Sequence, residues 1–213
     1  EALKVEMGRP WYLWPRNLRS REPVALAEKK IGLSHLVEKE KFTQFVFFKQ
    51  WRSLRDYCRS KGLKIVGDLP FYMSYDSADL WAHQEIFKLD EDKRPLFVSG
   101  VPPDYFSSDG QLWGNPVYDW EQLKATCFEW WMNRIKHSLS LFDTLRLDHF
   151  RGLLAYWEIS THEKTAVNGR WVQTPSEEFF KTLITNFPSL PFIAEDLGVI
   201  TEDVREVINR LNI

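Results

Sequence analysis

The sequence has little cysteine, no long apolar run and no excess of either charge. Its two cysteines, Cys58 and Cys127, lie far apart in stretches that read as helical, and no metal-type spacing includes them. Free, partly buried thiols in a reducing cytoplasm are expected, rather than a disulfide framework or a zinc site. Lys and Arg number 28 against 30 Asp and Glu, a net charge of −2, so there is no basic footprint for nucleic acid. No apolar stretch reaches the roughly 18 residues of a membrane helix. Charges recur throughout residues 1–30, so no signal peptide is read there and a cytoplasmic setting is expected. GxGxxG, GxxxxGK[ST] and a serine nucleophile elbow are all missing, which leaves no signal for a nucleotide cradle or a Ser hydrolase. His35, His83, His137 and His162 show no metal spacing, so neither a metal nor a cofactor is expected.

Aromatic residues are plentiful. Ten Trp, seven Tyr and 15 Phe make up 15% of the 213 residues, while the hydrophobic share of 44% is ordinary for a globular chain. Trp and Tyr offer flat apolar faces suited to the CH faces of sugar rings, and polar tips beside them. The alternative is that a large α/β core simply contains many aromatics.

Taken in order, residues 8–23 read as a Pro- and Gly-punctuated loop holding Trp11, Trp14 and Pro15. Residues 24–40 read as a charged surface helix. Residues 41–61 read as a second helix, with apolar positions from Phe42 to Cys58 at three- and four-residue steps and Gly62 as its stop. Residues 63–70 read as a short buried strand. Residues 71–120 read as one long loop with a short helix near 76–83, too aromatic for disorder. A helix over 120–140 precedes a strand over 142–148. Residues 152–175 read as loop, with a short helix near 153–157 and a hairpin arm at 169–172. A helix over 176–187, a strand within 191–198 and a last helix capped by Thr201 complete the chain. No internal repeat occurs. Helix, strand and long loop therefore recur three times, which implies an α/β fold with a parallel sheet.

The stretch LRLDHFRG, residues 145–152, is the centre of this reading. Residues two apart on a strand share a face, so Arg146 and Asp148 project side by side. A guanidinium beside Asp148 favours its ionised form, which is what a covalent nucleophile requires. A structural ion pair at a sheet edge is the alternative. Each strand ends in a carboxylate: Asp68, Asp148 and Glu195. In (β/α) barrels catalytic groups come from the C-terminal ends of several strands.

These residues, together with GDLPFY at 67–72, DSADLWAH at 76–83 and GVPPDYFSSDGQLWGNPVYDW at 100–120, resemble the 4-alpha-glucanotransferases. So do AYWEI at 155–159, GRWV at 169–172, IAEDLGVIT at 193–201, the WxxWP at 11–15 and FFKQW at 47–51. This family, also called amylomaltases, lies in the α-amylase clan of retaining glycosidases. The 100–120 stretch is the specific part; RxD and a lone Glu would be weak signals.

The resemblance implies part of a (β/α)₈ barrel, about its third to fifth strands, as one partial catalytic domain over residues 1–213 with an insertion over about 71–120. It implies transfer of α-1,4-glucan segments between maltooligosaccharides, starch or dextrins by retaining chemistry. Asp148 falls at the nucleophile position and Glu195 at the general acid/base position. Retention requires their carboxyls roughly 5–5.5 Å apart. Asp148 must stay ionised, while Glu195 must carry a proton near neutrality. Asp196 faces the other way and is not expected to be the acid. His149 falls at a sugar-contacting position, or else orients Asp148 from behind. Arg146 and Asp68 are expected at the substrate or in its support. Tyr105, Phe106 and Trp113 fall in the family's substrate loop, where they would stack on acceptor sugars and keep water from the intermediate. Asn115 joins them, and with Pro116 it is expected to fix the turn that follows.

A plain globular α/β domain would leave the three strand-end carboxylates and the dense aromatic loop unexplained, and two further rival readings remain. One is an α-1,4-glucan hydrolase of the same clan, against which the 100–120 loop argues. The other is a glucan-binding module without turnover. The family's third carboxylate, an Asp after a His, has no counterpart following Glu195. Residues 1–213 alone are therefore expected to be inactive, or nearly so. Assay of purified residues 1–213 on maltotriose checks this, and turnover equal to that of a complete transferase would overturn it.

Overall fold

The computed structural model describes residues 1–197 and 200–213. Gly198, the last residue of the expected third strand, and Val199, both within the IAEDLGVIT stretch, lie outside the described residues. The chain opens with α1 (Ala2–Met7), a 3-10 turn over Trp11–Leu13 and α2 (Arg16–Arg19). Two helices then follow, α3 (Pro23–Gly32) and α4 (Ser34–Ser60), broken at Leu33. The break comes earlier than the expected boundary near residue 40, and the periodic stretch belongs to a single 27-residue helix. Gly62, in the left-handed region with φ 72°, ends it as expected.

Three short strands form a parallel sheet in the order β1 (Val66–Leu69), β4 (Thr144–Leu147), β7 (Phe192–Ala194). Alternation sets their faces. Gly67, Leu69, Leu145, Leu147 and Phe192 turn toward the helices and are buried, while Val66, Asp68, Arg146 and Ile193 occupy the other, open face. Helix α4 is tied to the start of this sheet. The Asp143 carboxylate accepts the Ile65 N–H at 2.9 Å and guanidinium bonds from Arg55 at 3.1 Å and Arg59 at 2.7 Å. These bonds, the Ile65 N–H foremost, hold the Asp143 carboxyl down at about 2. No residue of α4 is fully buried, however, and Phe42, Phe45 and Tyr57 of its periodic stripe stand exposed.

The region expected to be one long loop is built. It holds α5 (Ala78–Ala82), capped by the Ser77 hydroxyl, and two strands, β2 (Phe97–Val101) and β3 (Gln111–Pro116). These pair with β5 (Ala155–Ser160) and β6 (Gly169–Gln173) in a four-stranded antiparallel sheet of order β3-β2-β5-β6. The helix expected near 153–157 is instead a 3-10 turn over Phe150–Leu153 leading into β5, and the hairpin arm at 169–172 is β6. Asn115 and Pro116, expected to fix the turn that follows them, are the last two residues of β3. Short strands rich in Gly, Ser and Pro hide from periodicity, because cross-strand packing rather than local pattern decides them.

The helix expected over 120–140 is two: α6 (Trp120–Ala125), capped by Asp119, and α7 (Glu129–Leu141). Cys127 and Phe128 between them take left-handed backbone, φ 50° and 56°. Phe128 thereby enters the core, while Cys127 is exposed in this turn rather than partly buried in a helix. Helices α8 (Ser176–Asn186) and α9 (Glu202–Leu211) finish the chain. Thr201 stands at the N-cap of α9 as expected, but its side chain makes no capping bond.

The core joins both sheets through rings: Phe71, Tyr118, Trp120, Trp131 and Phe179 pack edge to face or tilted. One charged group is buried here. Glu158 of β5 is 1% exposed. Its carboxylate accepts Lys88 Nζ at 2.7 Å, Arg170 Nε at 2.8 Å and the Tyr156 hydroxyl at 3.3 Å. Removing one partner of a buried ion pair leaves a charge without compensation. Lys88→Met is therefore expected to lower unfolding free energy in urea by about 3 kcal/mol. Lys88→Met with Glu158→Leu should recover part of the loss. An unchanged midpoint in the single variant would show that Arg170 suffices.

Candidate active site

The backbone ladder of the parallel sheet continues one residue past the strands. Asp148 N–H donates to Leu69 O at 3.2 Å, and Glu195 N–H donates to Leu147 O at 3.1 Å. This places the two carboxylate-bearing residues at neighbouring strand ends, Asp148 after β4 and Glu195 after β7. The parallel register pairs Asp68 with Arg146. Asp68 is the third of four residues in β1 rather than its last, and it faces the same side as Arg146.

Arg146 spans two carboxylates. Its Nε lies 3.0 Å from Asp68 Oδ1, and its Nη1 and Nη2 both donate to Asp148 Oδ1 at 2.9 Å. These are charge-assisted bonds of the strong kind. Both guanidinium bonds from the Nη atoms fall on one oxygen of Asp148, which leaves Oδ2 to face other chemistry.

Glu195 is held differently. Its Oε2 accepts the His149 N–H and its Oε1 accepts the Leu197 N–H, each at 2.9 Å. Each oxygen keeps a further lone pair, able to bear a proton or to accept one from a ligand. The His149 backbone is left-handed, φ 49° and ψ 50°. Such a conformation is unusual for a residue with a side chain, and here it accompanies the N–H bond to Glu195.

The His149 ring is enclosed by Trp113 at 4.9 Å, Phe71 at 5.7 Å and Tyr72 at 5.9 Å between centroids. Its Nε2 is buried and has no hydrogen-bond partner among the described residues. Burial, and secondarily the charge of Arg151, pushes the imidazole down to about 4. At neutral pH the ring is uncharged. Gly152 makes room for it, since a Cβ there would meet the His149 ring at 2.8 Å and the Phe71 ring at 2.7 Å.

A cavity of about 470 Å³ opens over these groups. Of the residues expected from sequence, Arg146, Asp148, His149, Glu195, Trp113 and Asn115 converge on it. Asp68 reaches it only through Arg146. Tyr105 and Phe106 do not line it and stand 97% and 91% exposed, in the loop between β2 and β3. Their neighbour Asp104 does line it, and its Oδ1 holds that loop through the Phe106 and Ser107 N–H groups, each at 2.9 Å.

Tyr72, Asp104, Gln111, Arg151 and Trp171 also line the cavity without having been singled out. All five sit inside a quoted motif. Gln111 and Trp171 reach the cavity from the antiparallel sheet, which sequence periodicity did not reveal, whereas Tyr72 and Arg151 come from the segments that follow β1 and β4. Among the described residues, no group of three or more His, Cys, Asp or Glu could hold a metal ion. No described helix is long and apolar enough to cross a membrane.

A family model described as 4-alpha-glucanotransferase matches residues 1–213. The chain is 57% identical over 204 residues to the 4-alpha-glucanotransferase of Aquifex aeolicus, covering 96% of this chain and 42% of that protein. It is 48% identical over 206 residues to that of Thermus thermophilus, covering 97% and 41%. It thus spans about two fifths of the length of these curated relatives. Among solved structures, the amylomaltase from Streptococcus agalactiae in complex with acarbose superposes with a TM-score of 0.94 at 42% identity, over 99% of this chain and 43% of that one.

The titration of His149 has a consequence for folding. Unfolded, the imidazole takes its proton near 6.5, and folded only near about 4. Between those values the unfolded chain binds more protons, so the native state loses stability as pH falls through this window and is unaffected above it. Urea unfolding at pH 7 and pH 5 should show a loss about 2 kcal/mol larger for the wild type than for His149→Asn. Equal losses would mean that the ring is hydrated in the native state.

Proposed function

The chain belongs to the 4-alpha-glucanotransferase family, and we propose that it supplies the nucleophile and the acid/base of a retaining transfer of α-1,4-glucan segments. The single observation behind this reading is the pair of carboxylates at adjacent strand ends, each held by a different kind of donor. Asp148 lies against a guanidinium and keeps one oxygen clear. Glu195 is held by one backbone N–H on each oxygen, and each oxygen keeps a lone pair for a ligand.

In the proposed reaction Asp148 Oδ2 attacks the anomeric carbon of a glucosyl unit in the cavity. The C1–O bond breaks, and the leaving oxygen takes a proton from Glu195. A covalent glycosyl-enzyme results. The 4-OH of a second glucan then enters, Glu195 removes its proton, and the new C1–O bond releases Asp148. Arg146 keeps Asp148 oriented between the two steps, with Asp68 fixing the guanidinium from the other side. His149 stays uncharged and offers its buried Nε2 to a sugar hydroxyl. Trp113, Tyr72 and Trp171 supply ring faces for the sugars, and Asn115 a polar edge.

Tyr105 and Phe106 project from the β2–β3 loop into solvent, where a longer acceptor glucan could gather them. Transfer rather than hydrolysis follows if that loop excludes water while the intermediate waits. In this proposal β1, β4 and β7 are successive strands of a (β/α)₈ barrel, about its third to fifth. The antiparallel sheet is then the insertion that walls the site. Maltooligosaccharides, starch and dextrins are the proposed substrates, and a cytoplasmic location is part of the same proposal.

Incubating the full-length polypeptide that carries these residues with maltotriose should give glucose together with maltopentaose and longer chains. Asp148→Asn should reduce that ladder by more than about a thousandfold. Shorter sugars alone would make the protein a hydrolase. An unaltered ladder in Asp148→Asn would remove Asp148 from the nucleophile role.

A further inference from the structure

The β2–β3 loop carries Tyr105 and Phe106 as an edge-to-face pair, with ring centroids 5.5 Å apart. At 97% and 91% exposure these rings take almost no support from the core. A side chain held by few neighbours takes its direction from the backbone that carries it. What closes that stretch of backbone therefore decides what the two rings can reach.

The two halves of the loop are fixed in different ways. The half nearer β3 is anchored on the body of the chain. Asp109 O accepts the Ala166 N–H at 3.0 Å, and the Ser107 hydroxyl donates to Gly110 O at 2.7 Å. Gly110 is left-handed, φ 67°, and a Cβ there would run into Val101 O and, at 2.9 Å, Ala166 Cβ. The half that bears the rings closes on Asp104. Its Oδ1 accepts the Phe106 and Ser107 N–H groups, each at 2.9 Å, and its own N–H donates to Ser107 O at 2.9 Å. Aspartate suits this place because its short side chain returns to the backbone a few residues on. Asp104 is half-buried and lines the cavity, as Gln111 does from the loop's other end.

We propose that Asp104 is a positioning residue that sets the balance between transfer and hydrolysis, by closing the turn that aims Tyr105 and Phe106 at an arriving acceptor. This rests on the reading of those rings as the part of the site that gathers the acceptor and excludes water. In that reading the glycosyl-enzyme has two fates. Either the 4-OH of a glucan or a water molecule attacks C1, Glu195 takes the proton of the attacking oxygen, and the C1–O bond to Asp148 breaks. The bonds made and broken are alike, so the outcome follows from which oxygen is already in place. Two rings on a closed turn meet the acceptor in a fixed direction. On an open turn they must be ordered at each encounter, which weakens the hold on a glucan without slowing water.

The test reads a ratio, which does not depend on how much of a preparation is folded. Transfer conserves the number of reducing ends, and hydrolysis adds one per event. With the full-length polypeptide and maltotriose, new reducing ends divided by maltopentaose formed at early times give the balance. Asp104→Ala should raise this ratio about 3- to 10-fold, the scale of losing a hydrogen-bonded turn. Asp104→Asn keeps the Oδ1 acceptor and loses only the charge, so its ratio should stay within about twofold of wild type. A wild-type ratio in Asp104→Ala would overturn the proposal. So would a ratio in Asp104→Asn as high as in Asp104→Ala, because the charge rather than the turn would then matter.

Tyr105→Ala combined with Phe106→Ala is the control for the underlying reading. If that variant keeps the wild-type ratio, the rings do not favour the acceptor over water, and both readings fall together. If it raises the ratio and Asp104→Ala does not, only the positioning role is overturned. Should Asp104→Ala fail to fold, Asp104→Glu decides, since it keeps the charge on an arm too long for the same turn. A raised ratio there supports the role, and an unchanged one overturns it.

Discussion

The site depends on Arg146 standing between two carboxylates, and that depends on strand register. Asp68 and Arg146 meet because β1 and β4 run parallel with those residues opposite each other. Asp148 joins because it lies two residues beyond Arg146, on the same face. A slip of one residue would turn Asp68 toward the helices and Leu69 toward the open face. The burial of Leu69, Leu145 and Leu147 thus does more than fill a core. It fixes which way the charged residues between them must face.

From that line of charge the site is built outward by hydrogen bonds and ring packing. The ladder carries Asp148 and Glu195 one step past their strands. The left-handed turn at His149 sends a backbone N–H to Glu195 while its ring enters an aromatic enclosure. That enclosure is continuous with the core through Phe71, whose carbonyl accepts the Tyr118 hydroxyl at 2.6 Å. The second sheet supplies Trp113 from β3 and Trp171 from β6 as opposite walls. Its own coherence rests on the Glu158 cluster, which joins β5 and β6 to Lys88. The carboxylate floor and the aromatic walls of the cavity therefore come from two sheets of opposite pairing type.

Much of this was legible in the sequence, and the parts that were not share a cause. The three parallel strands could be read because each is a short apolar run outside the amphipathic helices, and the carboxylates that follow β4 and β7 were visible at their ends, while Asp68 lies inside β1. Arg146, Asp148, His149, Glu195, Trp113 and Asn115 all reach one cavity. The antiparallel sheet was read as loop, since strands such as QLWGNP carry Gly and Pro and no clean alternation. With it went the recognition of Gln111 and Trp171 as cavity walls. Thr201 illustrates the same limit on a smaller scale: local pattern marks it as a cap, and a tertiary partner fifty residues away in sequence takes its hydroxyl.

By itself, then, the sequence determined the parallel α/β order, the residues that bear charge at the strand ends, and the motifs that mark the family. Those are properties of local periodicity and residue identity, and they survive without knowing what packs where. Only the tertiary structure decided that Arg146 is shared by Asp68 and Asp148, that backbone N–H groups hold Glu195, and that burial leaves His149 uncharged. Each of these depends on distances between segments far apart in the chain, or on how completely water is excluded. Neither quantity is written in any one stretch of residues.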